Sequence, residues 1–329
     1  SETNQPGYVE QYGGGCGPEG RGRLAADENK TCTIYNDDIA PTLTLVKEVI
    51  NDNGGQASAD DWTLFATNHD SSFNGVSGVW ATVEAGTTIT LSESVLPAGY
   101  ENEGWVCDGG TQNDNEIVLG LDEDVTCTVT NNDIAPTITL IKQVIANNGG
   151  QAGVNDFGLQ IGDTYVDSEQ TLEVEANIPI AVNEDGLPGW EFTGITGAGC
   201  PADLGGTVTL DPGQHITCTI SNDDIQPKLT VTKVVTNDNG GDAEVGDFDL
   251  FVNDIQVLSG EKNGFNVGTY QISEQGPSGY TQTFGEACDV NGEVSLELGD
   301  DKECIIYNND QRATLTVYKF VENTYGGNL

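Results

Sequence analysis

The chain has 329 residues, with 53 Asp plus Glu against 11 Lys plus Arg, 43 Gly and no Met. A net charge near −42 repels nucleic-acid phosphates and anionic lipid, so neither is an expected partner. No run approaches the roughly 18 apolar residues of a membrane helix, and neither a leader pattern nor an anchor pattern is legible, so no membrane contact is expected.

Taken in order, residues 1–40 carry a Glu, a turn and an aromatic (Glu2 to Tyr8), then Cys16 and Cys32, and end on Asn36-Asp37-Asp38-Ile39-Ala40. From Asn36 the chain reads Asn-Asp-Asp-Ile-Ala-Pro-Thr-Leu-Thr-Leu-Val-Lys, a phrase that returns from Asn131, from Asn222 and, more loosely, from Asn308. Asn and Lys stand 11 residues apart in every copy (36→47, 131→142, 222→233, 308→319), and successive Lys are 95, 91 and 86 residues apart. A Gly-rich turn follows each Lys: Asn53-Gly54-Gly55, Asn148-Gly149-Gly150, Asn239-Gly240-Gly241 and Tyr325-Gly326-Gly327. The Glu-turn-aromatic element recurs as Glu93 to Tyr100, Glu184 to Trp190 and Glu274 to Tyr280. A fixed period of this kind predicts tandem units. They run as the C-terminal half of one repeat (1–40), whole repeats at 41–135, 136–226 and 227–311, and the first strand of a further repeat (312–329).

Between these marks, short alternating apolar and polar runs bounded by Gly, Asn, Asp and Pro predict strands, among them 42–50, 87–93 and 125–131. Units of about 90 residues suit all-β, immunoglobulin-like or transthyretin-like β-sandwiches of roughly seven strands, strung into an elongated rod. The eight Cys fall two to a repeat: Cys16 with Cys32, Cys107 with Cys127, Cys200 with Cys218, Cys288 with Cys304. Spacings of 16, 20, 18 and 16 match no close metal pair, and His69 and His215 occupy unrelated positions. Four disulfides within repeats are expected, and with them an oxidising, extracellular or cell-surface setting.

Lysine carries the sharpest signal. Lys47 is the only Lys or Arg between Pro41 and Ala135, and Lys142 the only one between Pro136 and Gln226. Residues i and i+2 of a strand share a face. Lys47 is therefore in line with Leu43, Leu45 and Val49, and Lys142, Lys233 and Lys319 stand in the same phase. By the same parity Glu93, Glu184 and Glu274, and Asn131, Asn222 and Asn308, point inward, whereas their neighbours Asn132 and Asn309 point out. One reading is a buried Lys–Glu ion pair hydrogen-bonded to Asn. The other is covalent: burial lowers the lysine pKa, the neutral amine attacks the Asn amide carbon, Glu shuttles protons and ammonia leaves.

Lys on the first strand, Asn on the last, and Glu93 followed by Pro97-Ala98-Gly99-Tyr100 resemble the Cna B-type domains of surface adhesins and pilins, in particular the SpaA-like, prealbumin-like subgroup. The resemblance covers essentially the whole chain. It implies spontaneous isopeptide bonds Lys47–Asn131 assisted by Glu93, Lys142–Asn222 by Glu184 and Lys233–Asn308 by Glu274. Trp190 in place of Tyr, the moving Pro and the regular disulfide depart from the family pattern. The implied function is a structural extracellular fibre or stalk segment whose partners are further copies or repeats of itself. The alternative is an adhesin that binds glycan or matrix protein through loops bearing exposed Trp62, Trp80 and Trp105. No Ser/His/Asp set, metal cluster or phosphate loop is present, so no enzyme is expected. No cofactor is expected, with Ca²⁺ a candidate at the acidic loops, where linker acids could face a neighbouring unit's Asn-Gly loop. Glu2 and Asn36 stand without their Lys, and Lys319 without its Glu and Asn. This favours a window on a longer repeat protein over a subunit that polymerises through Lys319 and Asn36.

Overall fold

The computed structural model describes residues 3, 5–95 and 97–327, so Glu2 lies outside the described residues. Among the described residues, apart from three one-turn 3-10 helices (Ala59–Asp61, Val154–Asp156 and Val245–Asp247), every element is a strand. None of them is a helix long and apolar enough to cross a membrane. Tandem all-β sandwiches are what the alternating pattern implies, and they are what forms.

The strand Thr42–Ile50 buries Leu43, Leu45 and Lys47 while Thr42, Thr44 and Val46 stay half-buried. It pairs in parallel with Asp124–Asp133, Leu43 opposite Val125 and Lys47 opposite Val129. The first and last strands of the unit are thus neighbours in one sheet. That sheet runs Val79–Thr82, Thr42–Ile50, Asp124–Asp133, Tyr100–Cys107. The facing sheet runs Ser72–Gly75, Leu64–Thr67, Thr88–Glu93, Glu116–Val118, Thr111–Asn113. Leu43, Leu45, Leu64, Leu91, Ile117 and Val129 fill the space between them.

The plan repeats. Thr137–Ile145 lies parallel to His215–Asp224, and Lys228–Thr236 parallel to Asp301–Asp310. Each closing strand is flanked on its other side by the strand that opens with the Glu-element aromatic, Trp190–Thr196 or Tyr280–Glu286. Each unit has its own buried core. At the head, Tyr8–Gly14 and Cys32–Asp38 form an antiparallel hairpin that matches the last two strands of a repeat.

The strand expected in 312–329 does not form among its described residues, 312–327. In the three whole repeats the matching strand is hydrogen-bonded to a closing strand about 80 positions further along, and Lys319 has no such partner here. Leu315, Val317, Tyr318 and Phe320 are left exposed.

Candidate functional site: a buried lysine, glutamate and asparagine in each repeat

Period-two alternation carries Lys47, Lys142 and Lys233 into the cores, where each side chain is 0% exposed. Asn131, Asn222 and Asn308 arrive from the closing strands and are buried, while Asn132 is half-buried and Asn309 exposed. Lys47 Nζ lies 3.1 Å from Glu93 Oε2, Lys142 Nζ 2.9 Å from Glu184 Oε2, and Lys233 Nζ 3.1 Å from Glu274 Oε2. The facing sheets thus bring the three residues of each set together. Asn36, in the head hairpin, and Lys319 are exposed.

The amides take two orientations. Asn131 Nδ2 donates to Glu93 Oε1 at 3.0 Å and Asn308 Nδ2 to Glu274 Oε1 at 2.6 Å. Their carbonyl oxygens are buried and accept no hydrogen bond. In the middle repeat Lys142 Nζ donates to Asn222 Oδ1 at 2.7 Å instead. Carboxylate against the amide NH₂ and amine against the amide carbonyl are the two contacts that transfer of an acyl group from Asn to Lys requires.

Burial pushes all three lysine ammonium groups below the usual lysine range, and the adjacent Glu only partly restores them. An aromatic ring covers each amine: Trp62 at 4.9 Å, Phe157 at 4.3 Å and Phe248 at 4.5 Å from Nζ to the ring centroid. These residues end the one-turn helices, and each meets the Glu-element aromatic edge to face, Tyr100, Trp190 or Tyr280. Trp62 is therefore no exposed recognition aromatic; it is fully buried, because its ring closes the lysine chamber. Trp105 is half-buried against the core, and Trp80 alone of the three is largely exposed, at 64%.

The Trp190 departure has a local cause. Tyr100 OH donates to Asn51 Oδ1 at 2.6 Å and accepts from Ala57 N–H at 3.0 Å, and Tyr280 does the same with Asn237 and Ala243. At the place of Asn51 and Asn237 the middle repeat has Ala146, which offers no acceptor for a hydroxyl. Trp190→Tyr and Ala146→Asn should therefore be coupled, the double variant exceeding the sum of the singles by about 0.5–3 kcal/mol. Hydrogen exchange over residues 137–224 would measure this.

The linker acids act within their own repeat, not across to a neighbour's loop. Asp133 accepts from Asn53 N–H and Gly55 N–H, Asp224 from Asn147, Asn148 and Gly150, and Asp310 from Asp238, Asn239 and Gly241. Among the described residues, no group of three or more His, Cys, Asp or Glu is placed to hold a metal. Burial works against ionisation of Asp224, but the amide donors outweigh it and hold its carboxyl below the ordinary range. Asp310 behaves the same way. A folded-state pKa below the unfolded one gives stability that is complete above the unfolded value, about 3.9. That stability drains away as pH falls through the folded value. Asp224→Asn should remove this acid-sensitive component from the middle repeat, seen as a flatter melting temperature against pH below about 4.

All four disulfides form, Cys16–Cys32, Cys107–Cys127, Cys200–Cys218 and Cys288–Cys304. Cys127, Cys218 and Cys304 lie on the closing strands, four residues before the buried Asn.

A family model for a prealbumin-like fold domain matches residues 38–129, 133–220 and 224–306. No curated protein matches the chain. Among solved structures it is similar to the Bacillus anthracis TIE protein, at 14% identity and a TM-score of 0.46, over 87% of this chain and 54% of that one. It is also similar to two B repeat units of the Staphylococcus aureus collagen-binding protein (12% identity, TM-score 0.21, 93% and 95% covered). A third is the T-13 major pilin of Streptococcus pyogenes (14% identity, TM-score 0.26, 56% and 97% covered). The chain spans about half the length of the TIE protein structure.

Proposed function

The chain belongs to the family of prealbumin-like fold domains, and from that premise we propose that it is a load-bearing segment of an extracellular fibre or stalk. In this reading each whole repeat is closed by a Lys–Asn amide, made once by the repeat itself. The observation that carries the proposal is the repeated enclosure of an amine, a carboxylate and a carboxamide between the two sheets of a repeat. Unreacted, the set buries a charged pair and, in the first and third repeats, an orphaned amide oxygen, a costly arrangement. Condensation removes the cost. Lys Nζ adds to Asn Cγ, Glu relays the proton to the departing nitrogen, and ammonia leaves behind a neutral secondary amide. Glu93, Glu184 and Glu274 are the assisting residues.

The four disulfides support an oxidising location, and the tandem repeats support further units of the same kind as partners. Loop recognition of glycan or matrix protein is the weaker reading, since one of the three aromatics it would use is buried. No constellation among the described residues supports turnover of an external substrate.

Intact mass under reducing conditions tests the proposal. Three bonds should lower the mass by about 51 Da, three losses of ~17 Da as ammonia. Glu184→Gln should restore ~17 Da of this, leaving the other two repeats reacted. An unmodified mass in the unsubstituted chain overturns the covalent reading.

A further inference from the structure

The same contacts join successive repeats at three places. Where one repeat ends, the N–H of Ile39 donates to Gly7 O, that of Ile134 to Gly99 O and that of Ile225 to Gly189 O, each at 2.9 Å. The carbonyl of the same Ile accepts an N–H from the repeat that follows: Asp122 at 3.0 Å, Gly213 at 2.7 Å and Gly299 at 2.9 Å. One residue is thereby stitched to both of its neighbours.

A second contact lies beside the first. The Asn-Gly-Gly loop, braced by Asp133 or Asp224, turns its carbonyls toward the next unit. Asn53 O accepts from Ala176 N–H at 2.8 Å, and Gly54 O from Asn177 Nδ2 at 2.9 Å. Asn148 O accepts from Val267 N–H at 2.8 Å.

Glycine is required at these seams for two reasons. Gly7, Gly99 and Gly189 have φ of +81°, +85° and +80°, a conformation that disfavours side chains. A Cβ there would also stand 2.6 Å from Leu121 Cβ, 2.0 Å from Pro212 O and 2.6 Å from Leu298 Cβ, all in the following repeat. Gly279 has the same place and hand in the third repeat, with φ +92°, yet a Cβ added to it would meet nothing within 4 Å. Gln311 there replaces Ile and keeps only the first bond, to Gly279 O at 2.7 Å.

We propose that these seams are fixed joints that hold successive repeats in one orientation, and that they are the elements that yield first when the chain is stretched. The second half rests on the covalent reading above. Ile134 and Ile225 each lie between a bonded Asn and the next bonded Lys, and Ile39 precedes the bonded Lys47, so all three are outside the closed loops and tension reaches them without bypass. Opening a joint breaks a few backbone hydrogen bonds and frees at most an 11-residue link, about 36–40 Å when fully extended. The joint can then close again.

The test is made without load, so that it does not depend on the amide bonds, which intact mass reads separately. Spin labels at Ser72→Cys and Thr164→Cys report the distance between the first two whole repeats in the full chain. A single narrow distance is expected. Gly99→Val should abolish that narrow peak, whereas Gly279→Val, with the same backbone strain but no neighbour, should preserve it. Asn177→Gly, which removes one joint bond and relieves a left-handed residue (φ +62°), should broaden the peak without threatening the fold. A broad distribution in the parent chain overturns the proposal. So does a Gly99→Val trace matching that of Gly279→Val, or a peak unmoved by Asn177→Gly.

Discussion

Stretched from its two ends, the chain should lengthen only at its links, and Glu184→Gln should add one long release from the middle repeat. Lys142 and Asn222 stand 80 positions apart (222 − 142). Of these, 18 are closed off by the Cys200–Cys218 disulfide, leaving 62 (80 − 18). The variant should therefore release about 205–225 Å under oxidising conditions, less the folded span, and about 265–290 Å once reduced. The unsubstituted chain should show neither, because its amide would carry the load past all 80 residues. The release should also need high force. The parallel strands Thr137–Ile145 and His215–Asp224 are pulled from opposite ends, so nine residue pairs are sheared together instead of peeled singly. Long releases from the parent chain would refute bonded repeats.

How much of this was legible in the sequence follows from which contacts leave a periodic trace. Lys47, Glu93 and Asn131 sit in strands whose every second residue is apolar, so their inward direction could be read from parity alone. The disulfide pairs could be read from spacing and recurrence. The lids over the lysines were harder to read: Trp62, Phe157 and Phe248 continue the alternation of Leu64, Leu159 and Leu250, which marks them as inward but not as the cover of an amine, and the residue type varies. The one signal of that role was position, since all three fall 15 residues after the core Lys (62 − 47, 157 − 142, 248 − 233). The joints were less legible still. Their bonds are made by backbone atoms, so only Ile39, Ile134, Ile225 and the paired glycines mark them. The direction of the linker acids escapes sequence reading for a related reason. Asp133 lies beside the Asn51–Gly55 loop of its own repeat through the parallel pairing of first and last strands, a contact between residues some 80 positions apart.

The remaining large effect separates the amide from the ion pair it would replace. Lys142→Ala should destabilise the middle repeat by about 5–7 kcal/mol. Leaving the buried Glu184 carboxyl without the amide it would hydrogen-bond costs about 1–3 kcal/mol. Losing a cross-link around 62 to 80 residues costs about 4–4.5 kcal/mol more in the chain-entropy account. The sum rivals the whole stability of an ordinary domain, about 5–15 kcal/mol, so this repeat should become protease-sensitive while its neighbours stay folded. Lys142→Met combined with Glu184→Leu fills the same chamber with apolar groups and removes the stranded carboxyl. Replacement of a buried pair in this way is often neutral or stabilising. The double variant should therefore recover the first component and still lack the second, remaining about 4 kcal/mol below the parent by hydrogen exchange over residues 137–224. If it matches the parent, the pair was never bonded, because an ion pair can be exchanged for well-packed carbon without loss but a covalent closure of the chain cannot.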